Sequence, residues 1–243
     1  MAFGTVPLRR EGQSPFPKRI KYQKIECLEL TVDNTDGKAN GIGPGTVRIH
    51  QQGDAGSPLA ASDNQTIPVK KKEGQLELRQ GTPGKDQEMK LTIVKFNGRM
   101  WADNKSRVAI FSDDVEVIHL ATEDKDLVPN LDKLPADAVY LYCSEQLKVL
   151  NRPENGKSNQ QLEGTGRVRC YTSEYHAQCE KVTYHEGKDQ LIFDGGDGWA
   201  ILTKLGPPGT AGQTSYAKRF IYNRKTREIK SEGARGFQGV TQP

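Results

Sequence analysis

The chain has 243 residues, which is room for one large all-β domain or two small ones. Hydrophobic residues make up only 34% and mean hydropathy is −0.72, which argues against a single thick core and for a thin sheet structure with much surface per residue. The net charge of +4, well mixed along the chain, is too mild to point to nucleic acid, and no apolar run approaches the roughly 20 residues of a membrane helix.

Residues 1–20 are rich in Pro, Arg and Gly, lack any period and read as an extended tail. Met1 to Arg10 has no apolar signal-peptide core. Either the protein is cytoplasmic or the native start is missing from this chain, and the second is the expectation. The first predicted strand runs from Ile25 to Val32, followed by the turn signal Asn34-Thr35-Asp36-Gly37. A return strand covers Gly45 to His50. Residues 51–73 read as an insertion, with a strand at Gln75–Leu78 and a turn at Gln80–Gln87 beyond it. Met89–Phe96 is the most β-prone stretch, and Asn97-Gly98 after it is the strongest hairpin signal in the chain.

Met100–Ala102, Val108–Phe111 and Val115–Ile118 continue the strands. The acidic segment 121–137, with two prolines, is a second long insertion that admits a short helical turn at Asn130–Leu134. Strands resume at Ala138–Leu150. After a polar loop at 151–161 they come densely: Gly166–Tyr171, Tyr175–Tyr184, Gln190–Phe193, Trp199–Lys204, Ala217–Tyr222 and Glu228–Ser231. Leu205–Thr214 reads as a loop and residues 238–243 as a tail. No segment has a convincing helical period, and the whole reads as one run of antiparallel hairpins from 21 to 237.

Internal repetition organises this run. Gly43-Pro44-Gly45-Thr46-Val47-Arg48-Ile49 returns as Gly164-Thr165-Gly166-Arg167-Val168-Arg169-Cys170. Upstream of each copy lies a matching piece beginning at Cys27 and Cys143, and weaker copies begin at Cys179 and Ala217. Three cysteines and one alanine at one repeat position imply a small buried slot, where free cysteine behaves as a small apolar residue. A Cys170–Cys179 bridge across a hairpin is the alternative. No Cys-x-x-Cys pair marks a zinc or thioredoxin-type site.

Little else carries chemistry. Each Gly-x-Gly is followed by a strand-like run and not by a helix, so it reads as a backbone bend and not as a phosphate cradle. His50, His119, His176 and His185 are scattered without metal-ligand spacing, and Ser144 lacks a nucleophile-elbow context. Asp113-Asp114 and Asp194 are turn chemistry. Neither a catalytic residue nor a metal or cofactor site is expected.

What remains is an apolar face: Leu30, Val47, Ile49, Leu91, Ile93, Val108, Ile110, Val115, Val117, Leu147, Val149, Val168, Val182 and Ile201. These residues either fill a plain sandwich core or line a groove between sheets that stay apart on one side. The pattern alone does not separate the two.

The elements Cys179-Glu-Lys-Val-Thr-Tyr184, Leu191-Ile-Phe-Asp-Gly195 and Ala217-Lys-Arg-Phe-Ile-Tyr222 resemble the OstA-like repeat of the LptA-type lipopolysaccharide transport family. The resemblance covers roughly residues 22–237 and is strongest after Ala138. It implies an open antiparallel β-jellyroll, V-shaped in section, that holds acyl chains in its interior and joins end to end with copies of itself or with other β-jellyroll transport components. It further implies a non-enzymatic periplasmic or envelope carrier of a lipopolysaccharide-like lipid. Lys24, Arg48, Arg167, Arg169, Lys181 and Lys218 lie on or beside the repeat strands and are expected at the head-group rim, unless they are ordinary outward-facing residues. Two other classes stand beside this reading: a β-scaffold that self-associates through its edge strands, and a carbohydrate-active β-protein. Only Trp101 and Trp199 are available for an aromatic sugar platform.

Overall fold

A computed structural model describes residues 21–52, 89–130, 138–151, 160–188, 190–207, 210–223 and 225–238, together with Lys133 and Pro135. Eighteen strands follow in order: β1 (Lys21–Glu26), β2 (Glu29–Asp33), β3 (Lys38–Ile42), β4 (Gly45–Gln52), β5 (Met89–Phe96), β6 (Arg99–Asp103), β7 (Val108–Ser112), β8 (Val115–Ala121), β9 (Val139–Cys143), β10 (Gln146–Asn151), β11 (Gln160–Tyr171), β12 (Tyr175–His185), β13 (Gln190–Asp194), β14 (Ala200–Lys204), β15 (Gln213–Ala217), β16 (Arg219–Asn223), β17 (Glu228–Glu232) and β18 (Arg235–Gln238). The expected all-β, repeat-built open jellyroll is therefore the fold. The insertion read at 51–73 beyond Gln52, the strand at Gln75–Leu78 and most of the helical turn at Asn130–Leu134 lie outside the described residues.

All pairings are antiparallel, and they fold the sheet into two leaves. Leaf one runs β2-β3-β6-β7-β10-β11-β12-β13-β16-β17. Leaf two runs β1-β4-β5-β8-β9-β11-β12-β14-β15-β18. The long strands β11 and β12 belong to both: their first and second halves pair with different leaves, and a bulge between Thr165 and Val168 makes the bend. Elsewhere the chain alternates two kinds of connection. Hairpin turns join neighbours within a leaf, and tight corners carry the chain across to the other leaf.

This alternation corrects the reading of one run of simple hairpins. Asn97-Gly98 is a corner, because β5 and β6 pair with other strands and not with each other. Ile25–Val32 breaks at Cys27-Leu28 into strands of opposite leaves, and Ala138–Leu150 breaks likewise at Ser144-Glu145. Backbone bonds stack the corners on one another: Asn97 N donates to Asp113 O at 2.8 Å, Asp113 N to Glu145 O at 2.8 Å and Ser144 N to Gly166 O at 2.7 Å. The predicted loop Leu205–Thr214 also ends early, since β15 begins at Gln213.

Along the inner side of the corners the pairs Gly45↔Phe96, Val115↔Cys143, Val168↔Cys179 and Ala200↔Ala217 form one line, with Cys27 at its start. The shared slot inferred for Cys27, Cys143, Cys179 and Ala217 is this line. A Cβ on Gly45 would lie 2.4 Å from the Phe96 ring, and one on Gly164 would lie 2.5 Å from Cys143 Sγ. Only glycine fits either place. The repeat frame read from the sequence is nonetheless two residues off. Gly41 meets Cys27 as Gly164 meets Cys143, so Gly43 stands where Gly166 stands. A shift of two preserves which face each residue takes, which is why the cysteine slot survives it.

The middle of the interior is filled by the protein's own side chains. Val47, Val115, Leu147, Val168 and Val182 are buried there, with Leu141, Phe193 and others, in one cluster. A second cluster lies on the outer face of leaf two: Leu91, Ile93, Ile118, Leu120 and Ala138. The first part of the insertion, residues 121–130, makes it possible, crossing the outside of leaf two as a strap. Arg48 Nη1 donates to Leu127 O at 2.9 Å, His50 Nε2 lies 2.9 Å from Thr122 O, and Lys125 Nζ sits 5.1 Å over the Tyr22 ring. Leu127 packs into the cluster from the strap.

Two measurements check this architecture. Burial pushes the thiols of Cys143 and Cys170 up to about 12 and raises that of Cys179, so all three stay protonated at neutral pH. All four cysteines are unpaired. At pH 8 a disulfide exchange reagent should modify Cys27 alone in the native protein, and all four after denaturation. Second, Arg48→Ala removes a charge-assisted bond of about 1.5–3 kcal/mol. Amide exchange should quicken in residues 122–130 and stay unchanged in β12–β16.

Candidate functional site

The residue rows along the inner face decide where the interior is open. Next to the corner, leaf one presents Gly41, Met100, Phe111, Leu147, Gly164, Val182, Phe193 and Phe220. One step nearer the free edges it presents Ala39, Ala102, Ala109, Val149, Leu162, Tyr184, Leu191 and Tyr222. This outer row changes character midway. Leu162, Tyr184, Leu191 and Tyr222 are buried to 3% exposure or less, whereas Ala39, Ala102, Ala109 and Val149 are half-buried.

The C-terminal half is sealed by aromatic rings. Tyr175 of leaf two packs edge-on against Phe193 at 5.8 Å and Tyr222 at 5.2 Å, both of leaf one. Glu174, in the turn before β12, ties the two free edges together. It accepts from Tyr222 Oη at 3.0 Å and pairs with Arg227 at 3.6 Å. The alanines of the N-terminal half reach no such distance. Leaf two presents Ile49, Thr92, His119 and Val139 on the corresponding row, with Lys90 one step nearer the edge on the same face. Thr92 Oγ1 lies 2.9 Å from His119 Nδ1, which holds the buried His119 ring against its own leaf. The result is a channel with an apolar floor of Val47, Val94, Met100, Phe111 and Val117 and walls of small or slim side chains.

The interior opens again at its two ends. At the N-terminal end Leu30 is 43% exposed and Val32 55%. At the C-terminal end a cavity of about 190 Å³ is bounded by Leu202, Lys204, Ser215, Phe220, Ile229 and Ser231.

Of the residues expected to line a groove, Val47, Val115, Val117, Leu147, Val168 and Val182 face the interior, as do Ile49 and Val149 at its rim. Leu30 stands at the open end. The others face outward. Leu91 and Ile93 lie under the strap. Val108 and Ile110 alternate with the inward-facing Ala109 and Phe111, and Ile201 with Ala200 and Leu202. In each case both faces of the strand carry apolar side chains, so alternation alone does not fix which set turns inward.

The six cations expected at a head-group rim do not converge. Lys24 and Arg48 are on the outer face of leaf two, Lys24 paired with Glu26 at 2.7 Å and Arg48 holding the strap. Arg169 lies 5.9 Å over the Tyr142 ring on that face, and Arg167 sits in the corner bulge with φ +40°. Lys181 is on the outer face of leaf one, 2.9 Å from Glu163. Lys218 is at a corner, bonded to the carbonyls of Asp197 and Gly198 and 4.9 Å from the Trp199 ring. On the strands, Lys24, Arg48, Arg169 and Lys181 alternate with the inward-facing Ile25, Val47, Val168 and Val182 and so point outward. The cations near the channel mouth are Lys90, Lys38 at the start of β3 and the turn residues Lys105 and Arg107, which the sequence reading passed over; Lys38 and Lys105 both pair with Asp36, at 3.4 and 3.3 Å.

Neither the alanine row nor the tyrosine seal was singled out in the sequence, because both depend on register between distant strands. Among the described residues no three His, Cys, Asp or Glu side chains come close enough to hold a metal ion. No protein-family model matches the chain, and no curated protein matches it.

Proposed function

We propose that this protein is a non-enzymatic carrier of an amphipathic envelope lipid, with acyl chains in the channel between the N-terminal halves of the two leaves. The observation that carries the reading is the change along one row. Half-buried Ala39, Ala102 and Ala109 give way to the sealed Tyr184, Leu191 and Tyr222. A self-filled sandwich has no reason to place its smallest side chains where the leaves separate and its largest where they meet a latch. Each acyl CH₂ shielded from water contributes about 0.8 kcal/mol, so such a channel needs few polar anchors. Lys38, Lys90, Lys105 and Arg107 gather four cations near the mouth, two of them paired with the Asp36 carboxylate, which suits a lipid whose head group carries phosphate. The resemblance of the repeats to the lipopolysaccharide transport family supports the same class of lipid and a periplasmic or envelope setting.

Native mass spectrometry with added lipopolysaccharide tests this. The expected result is a lipid adduct that Ala109→Trp weakens at least tenfold, about 1.4 kcal/mol, with the circular dichroism unchanged. Ile93→Asp, under the strap, should disturb folding before binding. A well-folded chain without an adduct overturns the carrier reading.

One observation favours the scaffold reading as a second function. Among the described residues β1 and β2 at one end and β17 and β18 at the other have one partner strand each. Two of these carry exposed apolar side chains: Leu30 and Val32 on β2, and Ile229 on β17 at 37%. Open strand edges with apolar cover recruit further strands. Light scattering should find concentration-dependent association of the lipid-free chain that Val32→Lys reduces. An unchanged monomer at all concentrations would remove this reading.

A further inference from the structure

The outer face of leaf one carries a second concavity, on the side of the sheet away from the channel. Its centre is Thr183 on β12. In the sheet register Thr183 stands between Glu163 on β11 and Ile192 on β13, with Lys181 and His185 two residues away along its own strand. A short side chain ringed by long ones leaves a depression, here of about 450 Å³ and bordered at its far sides by Leu150, Gln161, Asp194 and Arg219. That size falls within the roughly 300–1,000 Å³ of small-molecule sites.

The two cations and two carboxylates that line it balance, and Glu232 outside the lining is a third carboxylate, held by Arg219. Lys181 Nζ is 2.9 Å from Glu163. Arg219 places Nη2 at 2.8 Å and Nε at 3.1 Å from one Asp194 oxygen, and its Nη1 at 3.3 Å from Glu232. The wall therefore offers donors and acceptors in fixed positions without a net field, so a bare anion or cation gains little there. The guanidinium is already oriented by its carboxylates, so binding a ligand costs it little further ordering. Leu150 and Ile192 add two apolar patches, Gln161 and Thr183 add neutral hydrogen-bonding groups, and His185 adds its ring nitrogens. A fatty chain would leave those polar groups unpaired on contact.

We propose that this depression binds a neutral saccharide unit, with sugar C–H faces on Ile192 and Leu150 and hydroxyls bonded to Thr183, Gln161 and the outward atoms of the two ion pairs. Pyranose rings present this mixture of apolar faces and neutral hydroxyls around one ring. The site is separate from the acyl channel and stands whether or not the carrier reading holds.

The test is a titration of the isotope-labelled full chain with N-acetylglucosamine and with maltose, followed by amide chemical shifts. Glucose 6-phosphate and glucuronate serve as charged comparators. Saturable shifts in the millimolar range are expected at Thr183, Ile192 and Arg219, with no gain in affinity from either charged sugar. Thr183→Phe, which fills the depression, should abolish them, and Gln161→Leu should weaken binding about tenfold. If Thr183→Phe does not fold, the Gln161→Leu comparison decides. Ala109→Trp, in the channel, should leave sugar binding unchanged. Three outcomes overturn the proposal: no saturable shift from either neutral sugar, tighter binding of a charged sugar, or shifts that survive in folded variants of both Thr183 and Gln161.

Discussion

The structure depends on how closely backbone can approach side chain at the corners. Each time the chain leaves one leaf for the other it must pass a line of neighbouring corners, and the space there is fixed by strand spacing. Gly45 gives up its side chain to the ring of Phe96, and Gly164 gives up its own to the sulfur of Cys143. Cys179, Ala200 and Ala217 continue the line with nothing larger than a thiol. A larger residue at Gly45 or Gly164 must displace packed side chains, and the side chains at a corner serve both leaves at once. Free cysteine suits this role because it fills a small slot without needing a hydrogen-bond partner. The same burial that fixes its size holds its proton, so the thiols are structural and chemically quiet.

With the corners fixed, the separation of the leaves is set by side-chain size on the inner rows. Hydrophobicity alone does not distinguish the halves, since Ala109, Leu191 and Tyr222 are all compatible with an interior. Volume does. In the C-terminal half Tyr175 and Tyr222 span the gap and Glu174 fastens their edge, which leaves little freedom for the leaves to part. In the N-terminal half the alanines leave the leaves unbridged. The strap then has a mechanical role: leaf two is buried on both faces at β4, β5 and β8, so it holds its shape without contact across the channel. A leaf packed on one face only would fall onto its opposite number to bury Val47 and Val94 more fully.

This arrangement explains which parts of the chain were legible as sequence. Strand existence was legible, because alternation and turn chemistry are local. The cysteine slot was legible too, because a repeat carries its small residues with it even when the frame is read two positions off. The inner face of β5, β7 and β14 was not. Met89–Phe96 has apolar residues on both sides, and the choice between Leu91-Ile93 and Val94-Phe96 is made by a strap that arrives thirty residues later in the chain. On β7 the same ambiguity set Val108 and Ile110 against Ala109 and Phe111, and the bulkier pair looked like core. Asn97-Gly98 failed as a hairpin for a related reason. Turn chemistry specifies a reversal of direction, but which strand the chain rejoins is set by the corner stack around it.

The outward cations follow from the same geometry and bear on what any ligand meets. A lipid that enters the channel leaves the outer faces free, and the outer faces are where Lys24, Lys181, Arg169 and Arg219 are already engaged by carboxylates or rings. These cations have partners at hand and therefore gain less from a phosphate than an unengaged cation does. At the channel mouth Lys38 and Lys105 likewise share Asp36, at 3.4 and 3.3 Å, so a phosphate there competes with one carboxylate for two lysines. Under the proposed carrier function, the chain portion would meet the inner faces of the strands and the head group would meet charged side chains at the edge. Were a lipid taken up and released as proposed, that division would keep the apolar contact constant while the polar contact stayed exchangeable.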